Sequence, residues 1–507
     1  MTIFLRLTSV VLILALEVTA ASALKCGNSI RSLDSLRSLL PFDSLNIAST
    51  FVDRSNVPSK SQVITKFGQD VAVCSTKHGG RFLSSEELEP YRMVGDPPMD
   101  ELMEFMDREG WPLKPGDDLL EKDKYPSHVQ ERIDVLLKNH QDLPSWVDKE
   151  QLQRGQRVFL RFLPAASLSL FYRSLVLGFN IPKIGAVIQS TGYLAPPSTP
   201  EQVTFRLVDT GALLGSCMSG IDNLVPGEEG WKMCLYVRVL HAKVRRSLLR
   251  RTGARSWKTS EFGVPINQED MAATLLAFSV NTLEGIESIG GVELPRQEQE
   301  DYLALWRYIG WLLGVSTIAD HQSSNALRPL DPCGPGLSEL KPDPIDHAKC
   351  MLQSILLHLV APDQSSVIIS HHLLKLGRPA RINNCKNLQS KEEIAKSAAT
   401  LDFGFHFRAS VFRSLIGAPL ADALKLPFHP QFLTRILIHC QVRAYLWAFR
   451  IVTWAAFWEA GRTGLERYCV LGMRKFHTVW TERHQSRMAL ALKTKAPCCP
   501  FSMVTRQ

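Results

Sequence analysis

From about Leu143 onward, apolar residues recur every three or four positions, segment after segment, with short Pro/Gly breaks between them. That period is the signature of amphipathic helices, because side chains three and four apart share one helix face. The stretch WKMCLYVRVLHAKVRRSLLRR is apolar at Leu235, Val239, Ala242 and Leu249. RQEQEDYLALWRYIGWLLGV places Tyr302, Leu305, Trp306, Ile309 and Leu313 on one side. Start signals agree: Asp148 precedes one helix, and Thr199 with Pro200 opens another. Asn267, followed by Glu269 and Asp270, opens a third. Strand-like alternation is scarce and no repeat is visible. The expectation is an all-α fold.

Turn clusters dominate before this region. GDPPMD, PLKPGDD and KYPS break residues 24–140 into a mixed segment of short helices with irregular connections. At the N-terminus, Arg6, an apolar run from Leu7 to Leu16, and Ala21 and Ala23 in an A-x-A arrangement follow signal-peptide grammar. The run is shorter than the ~20 residues a spanning helix needs. Residues 1–23 are therefore expected to be a signal peptide or N-terminal anchor, with the chain endoplasmic-reticulum membrane-associated or secreted. No N-x-S/T acceptor supports that route. The remaining divisions are 141–390, a long helical region, and 391–507, a C-terminal helical region that is a candidate for membrane association.

The charge balance, 58 Lys+Arg against 50 Asp+Glu, is a modest excess for 507 residues. It suits an anionic lipid surface or an anionic cofactor and is not a nucleic-acid signature. Eleven scattered cysteines contain no C-x-x-C pair, so structural zinc is not expected. The adjacent His371 and His372 point to different helix faces, which argues against a metal site there.

The candidate site is RVLHAKVRR. Arg238 lies three residues before His241 and Arg245 four after, so all three share one face. Two guanidinium groups would hold the imidazole neutral, the state that ligates a metal. They would also suit a cofactor bearing carboxylates; haem is one, with iron taken by a proximal His. Arg206 and Thr210 sit one turn apart on the preceding helix. The bland alternative, a structural histidine with a surface arginine and an ordinary helical threonine, stands beside each.

The ordered set LPSWVD, STGYL, FRLVDT, GEEGWKMCLYVRVLHAKVR, GVPINQED and WRYIGWLLGV spans about 143 to 315. With these motifs the chain resembles the family that joins bacterial latex-clearing rubber oxygenases to the ER-bound oxygenases of mycophenolic acid biosynthesis. The resemblance implies a globin-like, all-helical core binding haem b. It implies His241 as proximal iron ligand within R-x-x-H-x-x-x-R, with Arg238 and Arg245 holding the ring and the cofactor's acidic edge. It places Arg206 and Thr210 on the distal side, facing bound dioxygen. The implied reaction is oxidative attack on a hydrophobic, isoprenoid-type substrate, by dioxygenase-type cleavage of a C=C bond.

Two positions depart from the rubber oxygenases. Asp209 stands where they carry a lysine, and QSTGYL, with Ser190 and Thr191, lacks the carboxylate of their upstream glutamate. Rubber cleavage as such is therefore not implied, and a haem-free member that binds a lipid or protein partner stays open. Finally, TRILIHCQVRAYLWAFRIVTWAAFWEAGR (434–462) gathers Arg435, His439, Arg443 and Arg450 in one arc among Ile, Leu, Phe and Trp. It reads either as a helix lying in a membrane interface, with Trp447, Trp454 and Trp458 at headgroup depth, or as a core helix.

Overall fold

The computed structural model describes residues 62–67, 69–73, 82–114, 117–138, 140–317, 327–335, 343–376, 391–458 and 461–473. The segment 1–23 lies outside the described residues. The fold is all-α apart from one antiparallel hairpin, β1 (Gln62–Lys66) with β2 (Gln69–Val73), in register Val63 to Ala72. The hairpin falls in the segment expected to hold only short helices and irregular connections.

The first three helices are α1 (Ser85–Arg92), α2 (Pro97–Arg108) and α3 (Ser127–Lys138). GDPPMD, expected as a turn, is the start of α2: Asp96 stands at the cap position and the prolines occupy the first turn. Proline there loses no hydrogen bond, since those N–H groups have no helical partner. Ser84 and Glu87 close α1 with a reciprocal capping box.

Then come α4 (Lys149–Arg161), α5 (Leu163–Ser169), α6 (Pro182–Thr191), α7 (Pro200–Met218) and α8 (Glu229–Leu249). The caps at Asp148 and Thr199 form as the sequence indicates. Next are α9 (Gln268–Phe278), capped by Asn267, α10 (Val280–Gly290) and α11 (Arg296–Leu312). The C-terminal part adds α12 (Pro344–Leu359), α13 (Gln364–Leu374), α14 (Lys391–Ile416), α15 (Ala418–Ala423) and α16 (Phe432–Ala455). One apolar core runs from Leu83 of the N-terminal segment to Ala456, so α1 to α3 share it with the helices that follow.

The most extensive helix pair is α4 on α11. Arg154 clamps Asp301 through two bonds of 2.8 and 3.0 Å. Gly155 faces the partner so closely that a Cβ would collide with the Asp301 carbonyl, and would lie 3.0 Å from the Leu305 Cβ. Backbone cannot step aside as a side chain can. Gly155→Ala is therefore expected to destabilise the protein by about 1–3 kcal/mol, the usual cost of overpacking. Urea denaturation measures it, and a variant as stable as the wild type would contradict this helix contact.

Candidate functional site

The site is built on an αα-hairpin. α7 and α8 pack together, joined by a short 3-10 turn at Ile221–Leu224. At the closed end Cys217 and Cys234 meet at 3.6 Å between sulfurs. Gly230 allows the close approach: a Cβ there would sit 2.8 Å from the Asn223 carbonyl oxygen. From the cysteine pair, Thr210 is seven residues back along α7 and His241 seven forward along α8. Seven residues are two turns less about 20°, and rise about 10 Å. Thr210 and His241 thus stand at one level, on the faces that carry Cys217 and Cys234 at the closed end. Burial changes along the same path. Gly215–Met218, Trp231, Cys234 and Leu235 are buried, whereas Leu207, Thr210, Gly211, Leu214, Val237, Leu240 and His241 are half-buried. Thr210 and His241 are half-buried at that level, while Arg206, Ala212, Arg238, Val239 and Ala242 around them are buried.

His241 Nδ1 is buried without a hydrogen-bond partner. Burial first, then the nearby Arg245 charge, pushes the ring down to about 4, while Asp96 opposes weakly. The imidazole is neutral at physiological pH. An orphaned, neutral, buried ring nitrogen has the chemistry of an unused metal ligand, so this histidine fits an axial iron ligand.

Arg238 and Arg245 are placed differently from the resemblance's implication. The Arg238 guanidinium donates to both Asp96 oxygens, at 2.6 and 2.8 Å, and to His140 Nε2 at 2.8 Å. His140 Nδ1 lies 3.2 Å from the Leu136 carbonyl, which fixes the tautomer with the proton on Nδ1. Its ring stacks on Trp311. Arg245 donates to Asp100 (2.5 Å) and to the carbonyls of Pro265 and Ile266 (3.1 and 2.8 Å). All three nitrogens of each guanidinium thus bond to protein. These arginines brace α8 against α2. Gly314, at φ +91°, makes room for the brace, since a Cβ there would lie 3.0 Å from Arg238 Nε. Farther along, Asp107 takes both Arg246 (2.7 Å) and Arg250 (2.6 Å). A cleft of about 660 Å³ opens beside the Arg238 end, lined by Asp96, Arg132, His140, Trp146 and Trp311.

Arg206 is a guanidinium with spare capacity, as are Arg92, Arg161 and Arg173. It is buried, donates through Nη1 to the Gly192 carbonyl (2.7 Å) and Ser198 Oγ (2.6 Å), and leaves Nε without a partner. Its charge stacks over Tyr193 at 4.7 Å. Among the described residues it makes no ion pair, and burial lowers its pKa. Thr210 Oγ1 donates to the Arg206 carbonyl one turn back (3.2 Å), so it must turn away from its own helix to donate elsewhere. Among the other candidates, Thr191 bonds back to Val187 (2.8 Å), and the Ser190 carbonyl accepts from Arg251 (3.0 Å). His371 lies 3.0 Å from the Leu424 carbonyl, and the His372 Nε2 is buried without a partner.

Sequence reasoning missed Asp96, Asp100, Asp107 and His140. Part of the signal was present: the acids at 96, 100 and 107 share one helix face, as do the bases at 238 and 245, though nothing in the sequence pairs the two sets.

Residues 161–451 match the family described as "ER-bound oxygenase mpaB/B'/Rubber oxygenase, catalytic domain". The chain belongs to this family. It is thus an oxygenase-family protein, and the matched region runs past residue 390, where the sequence suggested a boundary. A solved structure of latex clearing protein in the closed state aligns at 18% identity and a TM-score of 0.48, covering 76% of this chain and 91% of that one. No curated protein matches the chain.

Behind α8, Glu269 and Asp270 make a further testable feature. Glu269 lies 2.5 Å from Arg92, both buried. Burial pushes Glu269 up to about 7 against the pull of Arg92, and burial with Glu269 pushes Asp270 to about 7. Their folded pKa values exceed the ordinary 4.5 and 3.8. The folded state therefore holds more protons than the unfolded chain, and stability falls as pH rises through this window. His241, lowered from 6.5 to about 4, acts oppositely, as do His347 and His372, whereas Glu287, also pushed up to about 7 by burial, adds to the fall. The melting temperature is expected to fall from pH 5 to pH 8 and to flatten in Glu269→Gln/Asp270→Asn; a rise over that range would contradict the burial of these carboxyls.

Proposed function

We propose that this protein is a haem b-dependent oxygenase acting on a hydrophobic substrate of isoprenoid type, with dioxygen as co-substrate. The observation that carries the reading is His241: a neutral ring with an orphaned buried nitrogen, two turns along the hairpin from the cysteine pair and level with Thr210. His241 would hold the iron. Arg245 and burial keep its ring unprotonated. The brace from α2 fixes the height and rotation of α8, and with them the ring. Arg206 would supply a fixed positive charge to an anionic edge or a polarised oxygen, and Thr210 a hydroxyl once turned from its own helix. Haem iron, when bound, supplies the dioxygen binding and electron transfer that protein side chains lack. Cleavage of a C=C bond is the proposed outcome, in the endoplasmic-reticulum or secretory membrane system.

The test is the absorbance spectrum of the purified full chain supplemented with haem, followed by oxygen uptake with isoprenoid alkenes. A Soret band with oxygen consumption is expected. A folded, helical protein without a Soret band would overturn the reading.

A further inference from the structure

Helix α16 carries two apolar faces. The inward one, Ile438, Val442, Leu446, Phe449 and Thr453, is buried against α5, α10 and α14. Half a turn round, Leu433, Leu437, Ile451, Trp454 and Trp458 are exposed, Leu433 at 79% and Ile451 at 61%. Leu433 and Ile451 are eighteen residues, five whole turns, apart; they point the same way, about 27 Å from one another. The following helical residues, 461–473, add exposed Tyr468 and Leu471. Arg435, His439, Arg443 and Arg450 run along one flank between the two faces, His439 exposed and the arginines half-buried, with Arg435 donating to the His429 carbonyl and Arg450 lying over the Trp447 ring. From Phe432 to Trp458 there is no acidic residue.

Scattered exposed apolar residues need no explanation, but two exposed apolar clusters on one face do: Leu433 and Leu437 at one end, Ile451, Trp454 and Trp458 at the other, with half-buried Cys440, Ala444 and Trp447 between them. The chemistry of this face selects the occupant. Tryptophans at one end and cations along the edge fit the headgroup boundary of an anionic bilayer, where indole sits half-wet and guanidinium reaches phosphate. No described helix is long and apolar enough to cross a membrane. We propose that the outward face of α16 lies in the plane of an anionic lipid surface while its inward face stays in the protein core. The two expectations for this helix, interface and core, then hold together, one for each face. The proposal rests on α16 and not on the haem reading, and its test reads no haem signal.

The full chain is mixed with vesicles of phosphatidylcholine, with or without phosphatidylserine, whose acyl chains carry bromine, and tryptophan quenching is read. The first tryptophan is Trp111, so insertion by the N-terminal segment gives no signal. Strong quenching is expected with phosphatidylserine and weaker quenching without it. Trp454→Phe/Trp458→Phe should remove most of the signal, and Leu437→Glu/Ile451→Glu should abolish it, with unchanged circular dichroism in both. No quenching in the folded wild type would overturn the proposal, as would an undiminished signal in the Trp454→Phe/Trp458→Phe protein. Equal quenching on the two vesicle types would overturn the anionic-lipid assignment. A wild-type dimer by light scattering that Leu437→Glu/Ile451→Glu dissolves, with no quenching, would give the face to a second copy instead.

Discussion

Replacing His241 by alanine is expected to abolish the Soret band and oxygen uptake while leaving the fold intact. The two halves of that expectation have separate causes. The ring makes no hydrogen bond through its buried Nδ1, so its removal takes away no partner and relieves an unsatisfied polar atom. Stability should change little, by about 1 kcal/mol or less, as for sites without a packing or network role. Haem retention, by contrast, would lose its protein–iron bond. Exogenous imidazole should restore part of the band in the alanine variant, because the vacated space matches the ring that was removed. An unaltered spectrum in His241→Ala would show that another residue holds the iron. A variant that loses both helicity and absorbance would show that His241 is structural, which is the bland reading of a lone helical histidine.

The helical core was legible because its signals are local. Caps at Asp148, Thr199 and Asn267, and apolar spacing at Tyr302, Leu305, Trp306 and Ile309, depend on neighbours within two turns, and the helices form there. His241 was legible for the same reason, since its flanking arginines lie on its own helix. The partners of those arginines were not. Asp96, Asp100 and His140 sit 98 to 145 residues away in sequence. Nothing in R-x-x-H-x-x-x-R distinguishes a guanidinium that faces a cofactor from one that faces a carboxylate on another helix. The Pro-Pro of GDPPMD misled for a related reason: proline breaks helices in their interior and starts them at their first turn, and only the acidic stripe that follows separates the cases. Helix α16 was ambiguous because both its faces are apolar, which a single periodicity cannot resolve.

The brace yields the other large effect. Asp96→Ala is expected to destabilise the protein by about 3–5 kcal/mol, because it strands the buried Arg238 charge without its bidentate partner. Both side chains are nearly inaccessible to water, at 4% and 5% exposure, so solvent cannot take over the lost bonds. Asp107→Ala should cost less, about 1 kcal/mol, since its partners Arg250, 61% exposed, and Arg246, 20% exposed, both reach water when released. Urea denaturation of the two variants decides the ranking. The double variant Asp96→Ala/Arg238→Met should recover much of the loss, because an apolar side chain of similar length leaves no charge to desolvate. Its spectrum then separates stability from function. If the brace sets the rotation of α8, the recovered double variant will fold but bind haem with a shifted band, since His241 lies one turn beyond Arg238 on the same helix. Should it show the wild-type band, the ion pair contributes stability alone and the ring is positioned by the hairpin with α7. Equal costs for Asp96→Ala and Asp107→Ala would refute the brace outright.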